Sequence, residues 1–241
     1  MSFATYNLLQ AIFVAIAYSV CVILLPAAVI YPRIKRHPGP VRLLIYVVVG
    51  NFYMFNAVSI LELLHISNTF TQWLLLLLVG FAAGSRLRGV TMMWCIEQVL
   101  ETFRRLLLGI LGWNTFAARI RGAIKSAVKW CILWFWNCVI KHLPEWVLTA
   151  GLVALGAYAI GTQQQVDYGY IASDELVHNW WINALSSNDM YVAGIYPMGF
   201  HCVIYYLHAV FGFPVAVLLR HFADVQYIYV ALVGTWFLQE V

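Results

Sequence analysis

The feature that most restricts this chain is a series of apolar runs, near 6–31, 43–64, 70–85, 145–162, 194–213 and 225–241. A hydrocarbon core about 30 Å thick takes about 20 residues of helix to cross. The runs are too long and too uniformly apolar for barrel strands, so helices are the form they predict. Composition agrees: 63% of residues are hydrophobic and only 10% are charged, against about a quarter charged in soluble domains. The mean hydropathy is +0.81. The expected fold class is all-α, a polytopic membrane protein of about six transmembrane helices with cytoplasmic and outer-face amphipathic helices. The N-terminal "MSFATYNLLQ" has no Lys or Arg, and no small-residue cleavage site follows the first run. That run is therefore expected to stay as a span and not to be removed as a signal peptide.

Charge placement predicts orientation. Arg33, Lys35, Arg36 and Arg42 follow the first span, and Arg86 and Arg88 follow the third. Arg104, Arg105, Arg119, Arg121, Lys125, Lys129 and Lys141 lie between the third and fourth, and Arg220 follows the fifth. With the N-terminus outside, all 14 Lys and Arg are cytoplasmic, as the positive-inside rule favours. The expectation is a multi-pass protein of a bacterial plasma membrane. The net charge of +4 is accounted for by these flanks, and no nucleic-acid partner is expected. The five cysteines form no CxxC and read as small buried hydrophobes.

This places a three-helix membrane region at 1–88, interfacial amphipathic helices at 89–143 and a second membrane region at 144–241. In "CIEQVLETFRR" the charges Glu97, Glu101, Arg104 and Arg105 fall on one helical arc. Ile96, Val99, Phe103, Leu106 and Leu107 fall opposite, the pattern of a helix lying in the interface. The orientation requires that "WCILWFWNCVI", 130–140, does not cross; it is short and interrupted by Asn137.

Between Lys141 and Arg220 there is no basic residue, yet Asp167, Asp174, Glu175 and Asp189 cluster in the expected outer loop, 163–193. "SDELVHNWWINAL" starts with an N-cap serine and first-turn acids that suit the helix dipole. Leu176, Val177, Trp180, Trp181, Ala184 and Leu185 follow helical spacing, so a short amphipathic helix along the outer surface is expected. Asp174 and Glu175 stand four and three residues before His178, within reach of the imidazole. A carboxylate there can serve as general base to a hydroxyl, or hold a divalent cation, Mg or Mn, that grips a phosphate. The plain alternative is that both acids only cap the helix. "GIYPMGFH", Gly194 to His201, then gives a turn and a helix start, with His201 and His208 on one face.

Taken together, the span, the acid-led juxtamembrane helix and the "YPxGxH" start of the next span resemble the first loop of GT-C-type integral membrane glycosyltransferases. The resemblance covers 144–213. It implies transfer of a sugar from a polyprenyl-phosphate donor to an acceptor glycan or lipid on the outer face. It places the catalytic base on Asp174, with Glu175 as the other choice, and substrate binding on His178, Tyr196 and His201. The family pattern usually sets its acidic loop after the first helix and has more helices, so a portion of a longer protein is one expectation. A basic group for the donor phosphate is expected on the outer side, and the orientation above leaves none there. The alternatives are a polytopic transporter or channel subunit and a non-catalytic membrane scaffold. Glu62 reads as an interfacial acid snorkelling beside His65, or else as part of the same outer cavity. Asn51 and Asn56 read as interhelical hydrogen-bonding residues.

Overall fold

The structure is a computed structural model describing residues 3–37, 39–134, 136, 140, 143–166, 173–192, 194 and 198–239. Within its helices, the side chains of 3–5, 39–40, 127, 130–131, 134, 157, 159–166, 173–175 and 235–239 are outside the description.

The described elements are ten α-helices and one π-helical turn: α1 Phe3–Tyr18, α2 Leu25–Ile34, α3 Gly39–Leu63, α4 Thr69–Arg88, α5 Met92–Leu107, α6 Trp113–Trp134, α7 Leu143–Val166, α8 Ser173–Leu185, α9 Gly199–Phe211 and α10 Val215–Gln239. Four stretches are long and apolar enough to cross a membrane: Tyr6–Ile34, Val41–Leu63, Thr69–Arg88 and Val215–Gly234. Leu143–Gly156 and Gly199–Phe211 are shorter apolar helices.

The first crossing is continuous but not uniform. A π-helical turn, Ser19–Leu24, joins α1 to α2, and the Leu25 amide bonds back to the Val20 carbonyl. Pro26 explains the change of register. It has no N–H for the Val22 carbonyl, and its ring would clash in a regular helix. The Val22 carbonyl left over faces α3, where a Cβ on Gly50 would run into that oxygen. Glycine here lets two helix backbones touch, as small residues do between membrane helices. Beside this contact Asn51 Nδ2 donates to the Tyr18 hydroxyl at 2.8 Å and to the Val47 carbonyl at 2.8 Å. The Tyr18 ring in turn packs edge-on against Phe222 and Tyr229 of α10.

Helix directions follow from which residues meet. Chain turns carry α1–α2 down, α3 up and α4 down. Arg33, Lys35, Arg36, Arg42, Arg86 and Arg88 are thereby gathered at one end of the bundle, the basic end. The α3–α4 turn, 64–68, marks the other. Trp146 of α7 lines the same cavity as Leu43 and Leu232, so α7 starts near the basic end. Segment 89–143 therefore begins and ends at one end of the bundle. Tyr227 of α10 donates to the Leu152 carbonyl at 2.9 Å, against the smooth surface at Gly156.

Two expectations about the second half are corrected. First, α9 does not run as a fifth crossing from the α3–α4 end back to the basic end. The pairs Phe55 with Gly199, Ser59 with Cys202 and Ser67 with Tyr205 advance together, so α9 is parallel to α3. It has 13 residues, about 20 Å of helix, too short for a core about 30 Å thick. Second, the last helix begins at Val215 and not near 225. Gly212, with φ +69°, caps α9, and Pro214 follows before α10 turns back. Arg220 and His221 consequently sit near the α3–α4 end, not with the other basic residues.

Replacing Gly50 with alanine is expected to force α3 off the Val22 carbonyl and lower unfolding free energy in detergent by about 1–3 kcal/mol. An unchanged midpoint in urea or thermal melts of the purified chain would show that the two backbones are not in contact.

Candidate functional site

The site is built where α8, α9 and the α3–α4 turn converge. In α8 the packed face is His178, Trp181, Ile182 and Leu185, with Ile182 and Leu185 fully buried. Leu176, Val177 and Trp180 are exposed, and the buried Ile182 lies outside the expected apolar stripe. The buried face belongs to the protein core, and the outward one is left for lipid. Asp174 lies one helical turn before His178 on the same side of the α8 backbone, and Glu175 lies next to it. Their side chains, and the whole of Asp167 and Tyr196, lie outside the described residues.

His178 Nδ1 and His201 Nε2 are hydrogen-bonded at 2.9 Å. The sequence singled out both rings separately, and the fold joins them across 23 positions. One ring donates and the other accepts, so the pair holds when both are neutral or one is protonated. Two imidazolium rings would offer only donors. Aromatic rings enclose the pair: Trp181 and Phe200 pack against both histidines, at centroid distances of 4.2–5.4 Å. Phe200 also meets Phe222 of α10 at 6.1 Å. Arg220 stands two residues before Phe222 on α10, roughly 200° round the helix from it.

Below the histidines lies a cavity of about 410 Å³, lined by Asn51, Phe52, Phe55, Phe200, Phe222 and Gln226, with Gly199 at its rim. It is apolar and aromatic with two amides, the usual character of a site for a largely apolar ligand.

A two-bond clamp fixes the end of the site. Asn188 Oδ1 accepts from the Ser67 amide at 2.8 Å, and Asn188 Nδ2 donates to the Ser67 carbonyl at 3.1 Å. Asn188 has φ +56°, a left-handed conformation that asparagine tolerates better than most residues. The Asn68 capping box then starts α4: Asn68 accepts from the Thr71 amide and Thr71 Oγ1 accepts from the Asn68 amide. Under the clamp, Gln72 Nε2 donates to Ser67 Oγ at 3.0 Å, with both residues buried.

Glu62 is 1% exposed, so it does not snorkel, and His65 is exposed apart from it. Ser67 lies close to its carboxyl group without meeting hydrogen-bond geometry. Neither oxygen has a hydrogen-bond partner among the described residues. Asn56 donates to the Phe52 carbonyl within its own helix, not between helices as expected. His208 turns to the Phe213 carbonyl at 2.7 Å and secures the α9–α10 turn, leaving His201 alone of the two at the site. No group of three His, Cys, Asp or Glu side chains able to hold a metal occurs among the described residues.

No family model, curated protein or solved structure matches this chain.

Two substitutions separate the parts of the clamp. Asn188→Gly removes two hydrogen bonds and should destabilise by about 1–3 kcal/mol. Asn188→Ala adds the left-handed backbone cost and should lose about 1 kcal/mol more. Equal unfolding midpoints for the two variants would refute the backbone part. For the ring pair, a double-mutant cycle of His178→Ala and His201→Ala should give a coupling of about 1 kcal/mol, and additive losses would mean that the rings do not bond in the membrane.

Proposed function

We propose that the chain is a membrane glycosyltransferase, or part of one, moving a sugar from a polyprenyl-phosphate donor to an acceptor glycan or lipid. The observation that carries the reading is the His178–His201 bond. It ties the acid-led helix α8 to the start of α9 and sets Asp174 one helical turn from an aromatic-walled histidine pair.

In this reading the acceptor hydroxyl lies beside Asp174. Its oxygen attacks the anomeric carbon of the donor sugar while its proton passes to the carboxylate. The bond from that carbon to the phosphate oxygen breaks, and polyprenyl phosphate leaves with the electron pair. Such a base contributes about 10²–10⁴ in rate. Glu175 is the other candidate for the role. Arg220 and the histidine pair offset charge on the departing phosphate, a preorganised electrostatic effect. Tyr196 borders the donor in the same scheme. A divalent cation, Mg or Mn, would be held by Asp174 and Glu175 and would supply further positive charge to the phosphate. The cavity between Phe55, Phe200 and Phe222 takes the first isoprene units.

The orientation that agrees with these roles has the basic end in the cytoplasm and the histidine pair on the outer side, with the N-terminus outside. Arg220 is then the exception to the positive-inside pattern. An arginine retained on that side is expected if it binds an anion.

A second reading, an ion-coupled transporter subunit, is favoured by Glu62. A buried carboxyl group in a membrane helix is expensive and marks ion or proton pathways elsewhere.

The test is transfer of labelled sugar from polyprenyl-phosphate donors in proteoliposomes. Asp174→Asn should lower kcat about 10²–10⁴-fold with expression and monodispersity unchanged. Arg220→Gln should raise KM for the donor more than for the acceptor. Full transfer by Asp174→Asn would move the base elsewhere. Ion flux that depends on Glu62, with no transfer by the unaltered chain, would replace the enzyme reading with the second.

A further inference from the structure

We infer that the groove between α4 and α5, at the basic end, is a binding site for one anionic glycerophospholipid, its acyl chain along Gly80 and Gly84 and its phosphate at Arg88. This site is a span's length from the histidine pair and does not depend on the transferase reading.

Three observations point there. The void measures about 520 Å³, within the usual range for small-molecule sites. Gly80, Gly84 and Arg88 line it from α4, at i, i+4 and i+8, so they form one face of that helix. Val99, Phe103 and Leu106 line it from α5 at i, i+4 and i+7, with Phe116 of α6 beside them. The two faces thus oppose each other across open space.

The glycines are the informative part. Paired glycines four apart in a membrane helix normally let another helix approach closely. Here a Cβ built on Gly80 or Gly84 meets nothing within 4 Å. This contrasts with Gly50 and Gly156, where a Cβ would strike a neighbour. Glycine weakens a helix interior, and at these two positions, as at Gly122, Gly151 and Gly234, no contact among the described residues accounts for it. What the glycines do is keep the groove deep.

Shape and charge choose the occupant. The lining is apolar apart from Arg88, Gln98 and Thr102, so it suits a hydrocarbon chain with a negative headgroup at Arg88. At the mouth Arg88 is exposed, and its guanidinium presents a fork matched to phosphate. The neighbouring Arg86 is also exposed. Basic side chains at a membrane surface select anionic headgroups at about fivefold per residue.

The experiment uses the full purified chain in detergent, with phosphatidylglycerol as the probe and phosphatidylcholine of the same chains as control. Native mass spectrometry should show one phosphatidylglycerol retained per chain and raise little signal with phosphatidylcholine. Arg88→Gln should weaken retention of phosphatidylglycerol about fivefold and bring the two lipids level. Gly84→Leu fills the groove and should abolish retention of either. Gly84→Ala is a conservative control that favours helix and should keep most of the binding, with a helical spectrum and elution volume like the parent. Equal retention of both lipids by the unaltered chain, or unchanged retention in a folded Gly84→Leu chain, would overturn the assignment. So would a dimer in the parent that Gly84→Leu converts to monomer, since the glycine face would then belong to a second copy.

Discussion

The architecture at the functional end depends on Asn188 holding the backbone of Ser67. Two hydrogen bonds of 2.8 and 3.1 Å join a loop after α8 to the α3–α4 turn, 121 residues away in sequence. Each bond alone is worth about 1 kcal/mol. Their effect is larger as a constraint on geometry. With Asn188 fixed, α8 has to lie with Ile182 and Leu185 inward, and His178 then faces the start of α9. α9 then runs parallel to α3 and stops at the left-handed Gly212.

Polar side chains in this bundle sort into those used within the chain and those left over. Asn51, Gln72, Thr71 and His208 each meet a hydrogen-bonding partner. Glu62 does not among the described residues, although it is buried beside Ser67, Tyr205 and Cys202. A hydrophobic residue of similar size would serve packing at least as well there. An acid in that place suits a role that needs a titratable oxygen, and it lies under the same clamp that positions the histidines.

Much of this was legible in the sequence, for specific reasons. Long, uniformly apolar runs have few alternatives to helix, so the first three spans were placed within a few residues. The acid-led helix at 173–185 was legible because Ser173 and the 3–4 spacing are local signals. Direction was not local. The run at 194–213 was long enough by composition to cross, and only "FGFP" showed that the helix would stop at Phe211. Grouping Arg220 with the other basic residues followed from reading 194–213 as a crossing. The meeting of His178 with His201, and of Asn188 with Ser67, required long-range packing that no periodicity contains. Ile182 was missed because the outward stripe of Leu176, Val177 and Trp180 is as apolar as the inward one. In a membrane both faces of a helix are apolar, and hydrophobicity alone does not tell lipid from core.

That last ambiguity also explains how the two ends of α4 differ. At its start, Gln72 is buried in a polar network that fixes the helix to the α3–α4 turn. Toward its end, Gly80 and Gly84 sit beside empty space, and the residues lining that space are apolar except near Arg88, Gln98 and Thr102. Thr102 satisfies itself on the Gln98 carbonyl at 2.7 Å, and Glu101 is engaged by Arg105 at 2.7 Å, which holds its carboxyl group below the usual range. The polar side chains of α5 are thus largely turned to one another, and Arg88 is the charge presented at the mouth of the groove. One helix therefore links a hydrogen-bonded start, held by Gln72 and the Asn68 cap, with an end that lines an open, mostly apolar groove.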